Sequence, residues 1–121
     1  IGSKERGALI YLPQEGRGIG LAKKIEAYGL MEEKGLDTVE ANEELGFPGD
    51  LREYSAAADV LKAKFATTVK LLTNNPHKVS GLEDGGVKVA QRIPLELGIG
   101  PVNVNYLKTK KTKFGHIFET I

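Results

Sequence analysis

The chain reads as an α/β domain, a mixed or mostly parallel sheet flanked by helices. Three observations predict this. Short apolar, β-branched runs such as Thr68–Leu72 and Val87–Ala90 alternate with helix-length stretches whose apolar residues recur at three- and four-residue spacings. Gly, Pro and Asn punctuate the junctions between them. The last third runs strand, capped helix, strand, the order of a β-α-β unit, and a right-handed crossover would make its two strands parallel.

The elements follow in order. Ala8–Leu12 is strand-like and leads into a polar turn, Gln14-Glu15-Gly16-Arg17-Gly18-Ile19-Gly20-Leu21. From about Ile19 to Lys34, the residues Leu21, Ala22, Ile25, Tyr28 and Met31 line one apolar helix face, and Gly35 suits a left-handed cap. Leu36 to Tyr54 is rich in Gly, Pro, Asp, Glu and Asn with little periodicity, which predicts a long irregular segment of the functional kind. A second helix, roughly Ser55 to Phe65, starts on Ser55 as its cap. After the Thr68–Leu72 strand, Asn75 caps a helix with Pro76 at its first position, ending near Gly85-Gly86 before the Val87–Ala90 strand. Beyond Pro94 the pattern is mostly coil with a short terminal helix.

Composition sets bounds. With 121 residues, 40% hydrophobic and 27% charged, residues 1–121 make one globular domain with enough apolar content for a core. A net charge of +1 argues against a general polyanion binder. Lys108, Lys110, Lys111 and Lys113 crowd the C-terminal region, as a solvated tail or as a phosphate or nucleic-acid contact. No apolar run approaches the roughly 18–20 residues of a membrane span, and no signal-peptide pattern is visible. The absence of cysteine excludes disulfides and thiolate metal ligands and fits a cytoplasmic location. The opening on Ile1, a few residues ahead of a strand, reads as a cut rather than a natural start.

Three polar segments read as parts of one site: Glu15-Gly16-Arg17 within its Gly-rich turn, Asp37–Asn42, and Asp50-Leu51-Arg52. The turn lies between a strand and a helix, but its third glycine comes one residue too early for a dinucleotide fingerprint. It still offers backbone N–H groups to an anion. A carboxylate such as Glu15 suits the N1–H and amine of guanine, and Arg17 suits phosphate. Asp50 and Arg52, one residue apart in extended chain, project to one face, to pair or to act on one ligand. Thr73 ends a strand and Lys78 lies in the first turn of the following helix, where α/β domains gather ligands and anions. Tyr28 sits on the apolar stripe of the first helix, a position that ordinarily places the ring in the core with its hydroxyl at the edge. The two histidines, His77 and His116, lack neighbours in a metal-ligand pattern.

These segments, continued through Leu72-Thr73-Asn74-Asn75-Pro76-His77-Lys78 to Lys113-Phe114-Gly115-His116, resemble GTP cyclohydrolase II over nearly the whole chain. The resemblance implies hydrolytic opening of the guanine imidazole ring of GTP, with loss of formate and pyrophosphate, at the entry to riboflavin synthesis. It implies Asp50 as proton acceptor, Arg52 as nucleophile at phosphorus or stabiliser of the pyrophosphate, and Tyr28 as proton or hydrogen-bond donor. It further implies GTP contacts from Glu15, Gly16, Arg17, Thr38, Thr73 and Lys78. The chain departs from the family at Pro13, where many members carry Arg. The family holds a catalytic zinc with three cysteines in its N-terminal half, so no metal ligand is expected in this chain and the chain alone is expected to be inactive. Magnesium accompanying GTP and a homodimer are further implications. One rival is a non-catalytic GTP-binding or dimerisation module of the same fold. Another, a nucleic-acid-binding domain, is disfavoured by the near-neutral charge and the lack of an aromatic-basic motif, and no membrane contact is expected.

Overall fold

The computed structural model describes residues 1–121. A 3₁₀ turn at Glu15–Gly18 leads into α1 (Leu21–Lys34) and α2 (Thr38–Glu44). Then come α3 (Ser55–Lys64), β1 (Thr68–Leu72), α4 (Pro76–Asp84), β2 (Lys88–Ile93) and α5 (Val104–Phe114). The sheet has two parallel strands, with Val69 opposite Val89 and a one-residue slip after that pair, so that Leu72 meets Ile93. The β-α-β unit β1–α4–β2 is therefore present as the sequence predicts. Asn75 caps α4 through its side-chain oxygen, which accepts from the His77 N–H at 2.9 Å, and Pro76 occupies the first turn.

The core is small and lies between α3, α4 and the sheet. Ala57, Ala58, Leu61, Leu82 and Val87 form it, with Val87 only 1% exposed. Ile10, Leu12, Tyr54, Val69, Leu71 and Val89 pack around it. Gly81 and Gly85 let α4 approach closely: a methyl group on Gly85 would sit 2.4 Å from the Ala58 methyl, and one on Gly81 would sit 2.8 Å from the Tyr54 ring.

Four local expectations change. Ala8–Leu12 is extended but unpaired, because no neighbouring edge takes its backbone groups. It nonetheless alternates like a strand: Ile10 and Leu12 reach the core while Leu9 and Tyr11 face solvent. The irregular Leu36–Tyr54 segment contains α2, nucleated by a capping box. Asp37 accepts from the Val39 and Glu40 N–H groups, and Glu40 accepts from the Asp37 N–H at 3.0 Å. Ser55 is the first residue of α3 rather than its cap, which is Tyr54. The apolar stripe of α1 faces outward, with Leu21 and Ile25 each 60% and Tyr28 53% exposed. The helix instead buries Ala27, on the side that faces α2 and its fully buried Ala41.

Leu82 is the largest aliphatic side chain that α4 gives to this thin core. Leu82→Ala is expected to lower the unfolding free energy by about 2–3 kcal/mol in urea titrations, with the slope unchanged. A loss below about 1 kcal/mol would show that the packing is not centred there.

Candidate functional site

The site is assembled by turns. At the carboxyl end of β1, three polar residues, Thr73, Asn74 and Asn75, are buried, and each has a structural partner. The Thr73 hydroxyl accepts from the Asn75 N–H at 3.0 Å, and the Thr73 carbonyl accepts from the Arg92 guanidinium at 2.9 Å. The Asn74 side chain clamps Leu95 from both sides, accepting its N–H and donating to its carbonyl, each at 2.7 Å. The Asn74 carbonyl also accepts from the Ile117 N–H at 2.8 Å. One turn thus ties together the strand end, the start of α4, the segment after β2 and the segment after α5.

The Gly-rich turn is tied to the Asp50–Glu53 segment. The Gln14 side-chain amide exchanges two 2.8 Å bonds with the backbone of Glu53, and the Leu51 N–H donates to the Arg17 carbonyl at 2.8 Å. Gly18 (φ 91°) lies so close to Leu51 that a side-chain carbon there would fall 3.0–3.2 Å from its atoms. Arg17 is the one non-glycine residue at positive φ, 58°, a conformation that costs about 1–2 kcal/mol. Strain of this kind, held by surrounding contacts, marks functional turns. The conformation aims the Arg17 guanidinium across the Phe114 ring, 4.1 Å from its centroid, and onto the Thr38 hydroxyl at 3.3 Å.

Asp50 and Arg52 form a forked ion pair. Arg52 donates from Nε and Nη2 at 3.0 and 2.6 Å, and its backbone N–H adds a third contact to the same carboxylate. Burial pushes the Asp50 carboxyl up, but its bonds to Arg52 outweigh this and hold it below the ordinary range. The same pair raises Arg52, so the guanidinium stays charged. Burial lowers the Lys78 ammonium, and the nearby Arg52 and Lys110 charges lower it further. His116 is pushed down from 6.5 to about 4 by burial and by Lys110, Arg52, Arg17 and Lys78, so its imidazole is neutral at physiological pH.

The structure therefore brings Arg17, Thr38, Asp50 and Arg52 into one connected region, with Lys78 electrostatically part of it. Glu15 lies at its edge, paired with Lys24 at 2.8 Å. Gly16, in the same turn, has φ 59°. Thr73 is buried, its oxygen already used by the turn, and Tyr28 stands apart on α1 with the Lys24 ammonium 5.9 Å above its ring. An open cleft of about 400 Å³ runs beside the Gly-rich turn, between Pro13, Gln14, Glu15 and Leu51, Glu53 and Ser55. It takes in Glu15 but not Arg17, Arg52 or Lys78, so the cleft and the cationic groups do not coincide.

Sequence reasoning missed Tyr54 and Tyr106, and weighed His116 only as a metal ligand. The Tyr54 hydroxyl is buried without a hydrogen-bond partner, and the Arg52 and Asp50 charges reach it. Burial raises the Tyr106 phenol, but Lys110 and Arg17 more than offset this and leave it below its ordinary value. The spacing of Tyr106, Lys110 and Phe114 along one helix face, beside the lysine cluster already noted, signals α5 as part of the region.

These features define a small α/β domain in which a strand end, a helix start and a strained glycine turn converge on excess positive charge. Residues 1–94 match the model of the GTP cyclohydrolase II family, and the chain belongs to that family. It is 51% identical over 120 residues to GTP cyclohydrolase-2 of Hahella chejuensis, covering 99% of this chain and 58% of that protein. It is 52% identical over 117 residues to GTP cyclohydrolase-2 of Tolumonas auensis, covering 97% of this chain and 59% of that protein. It is also 50% identical, over its whole length, to the riboflavin biosynthesis protein RibBA of Endomicrobium trichonymphae, of which it covers 30%. The chain thus spans a little over half of the first two relatives and under a third of the last.

The His116 shift carries a sign. Its folded pKa of about 4 lies below the ordinary 6.5, so between those values the unfolded chain binds more protons. This contribution is fully favourable above pH 6.5 and is lost as pH falls toward 4. His116→Asn is expected to flatten the acid limb of the stability–pH curve in that window. An unchanged limb would show that the imidazole is not held neutral by burial and its cationic neighbours.

Proposed function

We propose that this chain is the nucleotide-binding and phosphate-handling part of a GTP cyclohydrolase II. Such an enzyme hydrolytically opens the guanine imidazole ring of GTP, releases formate and pyrophosphate, and begins riboflavin biosynthesis. The observation that carries this reading is the convergence of Arg17, Arg52 and Lys78, of which only Arg52 is paired, with Asp50, which leaves net positive charge for a polyanion.

In this reading Arg17, Thr38 and Lys78 hold the phosphates. Glu15 exchanges its Lys24 partner for the N1–H and amine of guanine, and Gly16 brings the backbone close to the nucleotide. Thr73 acts chiefly by setting the start of α4, since its side chain is engaged in the turn. The Asp50–Arg52 geometry favours an electrostatic role. A guanidinium raised above its ordinary pKa by a forked carboxylate is a poor nucleophile but a fixed positive charge, suited to stabilising the departing pyrophosphate. Asp50, ionised at neutral pH, orients that charge; with both oxygens on Arg52 and its pKa lowered, it accepts a proton only once the fork opens.

In the family a zinc ion would supply an activated water. The chain has no cysteine, and nowhere do three His, Cys, Asp or Glu side chains converge, so its residues do not fit the ion. On this reading the zinc ligands belong to sequence beyond these 121 residues, and magnesium travels with the triphosphate. Tyr28, exposed on α1, offers its phenol to whatever covers that helix, and the uncovered Leu21–Ile25 stripe supports a homodimeric or otherwise covered assembly. No helix is long and apolar enough to cross a membrane, and the reading places the enzyme in the cytoplasm.

In the complete enzyme, Arg52→Ala and Asp50→Ala are each expected to reduce GTP turnover at least about a hundredfold, with circular dichroism unchanged. Arg52→Lys should restore only part, because an ammonium cannot reproduce the forked contact. Near wild-type rates in both alanine variants would reduce the pair to a surface ion bridge.

A further inference from the structure

We propose that Lys110, with Tyr106 one turn before it on α5, is a further ligand of the substrate's polyphosphate, which makes α5 a wall of the anion site. The inference rests on the nucleotide-binding reading above and extends it to a helix beyond the segment that the family model matches.

Several fastenings hold α5 in place. Lys113 bridges Asp37 and Glu40, the two members of the α2 capping box, the latter at 2.9 Å. Phe114 lies under the Arg17 guanidinium. After the helix, Gly115 adopts the left-handed cap (φ 65°), the His116 N–H returns to the Lys110 carbonyl at 3.1 Å, and the Ile117 N–H reaches Asn74. Tyr106, Lys110 and Phe114 recur at four-residue intervals and so share one face. Phe114 fixes the direction of that face, toward Arg17 and the start of α4.

On that face Lys110 has no acidic partner. Lys113 on the same helix is in an ion pair, whereas Lys110, Lys78 and Arg17 are in none, as are several lysines outside this region. The Lys110 ammonium rests over the Tyr106 ring, 4.4 Å from its centroid, which orients it without neutralising it. Its charge reaches Lys78 and His116, and like charges gathered without a counter-charge are costly until an anion joins them. Lysine as a point charge suits a phosphate chain. The C-terminal lysines thus divide: Lys113 fastens the helix to α2, and Lys110 meets the ligand.

The test is calorimetric titration of the protein with inorganic tripolyphosphate, with GTP and with guanosine, for wild type, Lys110→Ala, Lys110→Gln and Lys110→Arg. The expected result is about tenfold weaker tripolyphosphate and GTP binding in the Ala and Gln variants, as loss of one charge-assisted contact implies. Guanosine affinity should be unchanged, and Lys110→Arg should stay within about threefold of wild type. A merely structural role would move guanosine as well. Tripolyphosphate binding within twofold of wild type in both Ala and Gln variants overturns the assignment, as does wild-type protein that binds no tripolyphosphate. If the expected pattern appears while the complete enzyme turns over no GTP, the cyclohydrolase reading fails and Lys110 stands. If GTP is turned over and the Lys110 variants bind it normally, Lys110 alone fails.

Discussion

A buried polar turn needs every one of its hydrogen bonds, and Thr73–Asn75 is where this molecule meets that demand most fully. Leaving buried groups of this kind unpaired costs about 1–3 kcal/mol each. Here the Asn74 amide satisfies both backbone groups of Leu95, its carbonyl takes the Ile117 N–H, and Asn75 caps α4. Satisfying the turn brings four chain segments to the carboxyl end of the sheet, where α/β folds gather ligands. The placement of Lys78 at the first turn of α4, and of His116 beside it, follows from that closure. So does the anchoring of the chain just beyond α5.

The second determinant is the strain at Arg17. An arginine in the left-handed region is disfavoured, yet its carbonyl is held by Leu51, its guanidinium by Thr38 and Phe114, and its neighbour Gly18 by close contact with Leu51. Those contacts come from three different segments, so the turn is over-determined and the side chain is fixed before any ligand arrives. Pre-organised charge of this kind stabilises a polyanion without reorganisation at the moment of binding. The Asp50–Arg52 fork completes the pattern. It fixes one cation geometrically, while Lys78, Lys110 and Arg17 remain without acidic partners.

Much of this was legible in the residues, and the limits have physical causes. The β-α-β unit could be read because β-branched runs, an Asn-Pro cap and a Gly-Gly stop all agree locally. The three polar segments could be grouped by order and spacing, and the structure joins them through Gln14, Arg17 and Leu51. Ala8–Leu12 alternates as a strand would, but strand identity depends on a pairing edge, and that is a non-local property. α2 was hidden because its helix signal is the Asp37–Glu40 capping box, in a stretch whose Gly and Pro content suggests coil. The stripe on α1 has helical period, but periodicity names a face without saying what covers it, and here Ala27 is buried while Tyr28 is exposed. Thr73 looked like a ligand contact because it stands at a strand end. Its oxygen also accepts the Asn75 N–H of the turn that shapes the strand end, which leaves the O–H as a donor.

On the function proposed above, these segments form one cationic site for a nucleoside triphosphate. A crystal structure of the protein with a non-hydrolysable GTP analogue tests it most directly. The account predicts phosphate oxygens within about 3 Å of the Arg17, Arg52 and Lys78 nitrogens, with the guanine edge turned toward Glu15. A triphosphate seated away from these cations, or a base facing away from the Gly-rich turn, would contradict it.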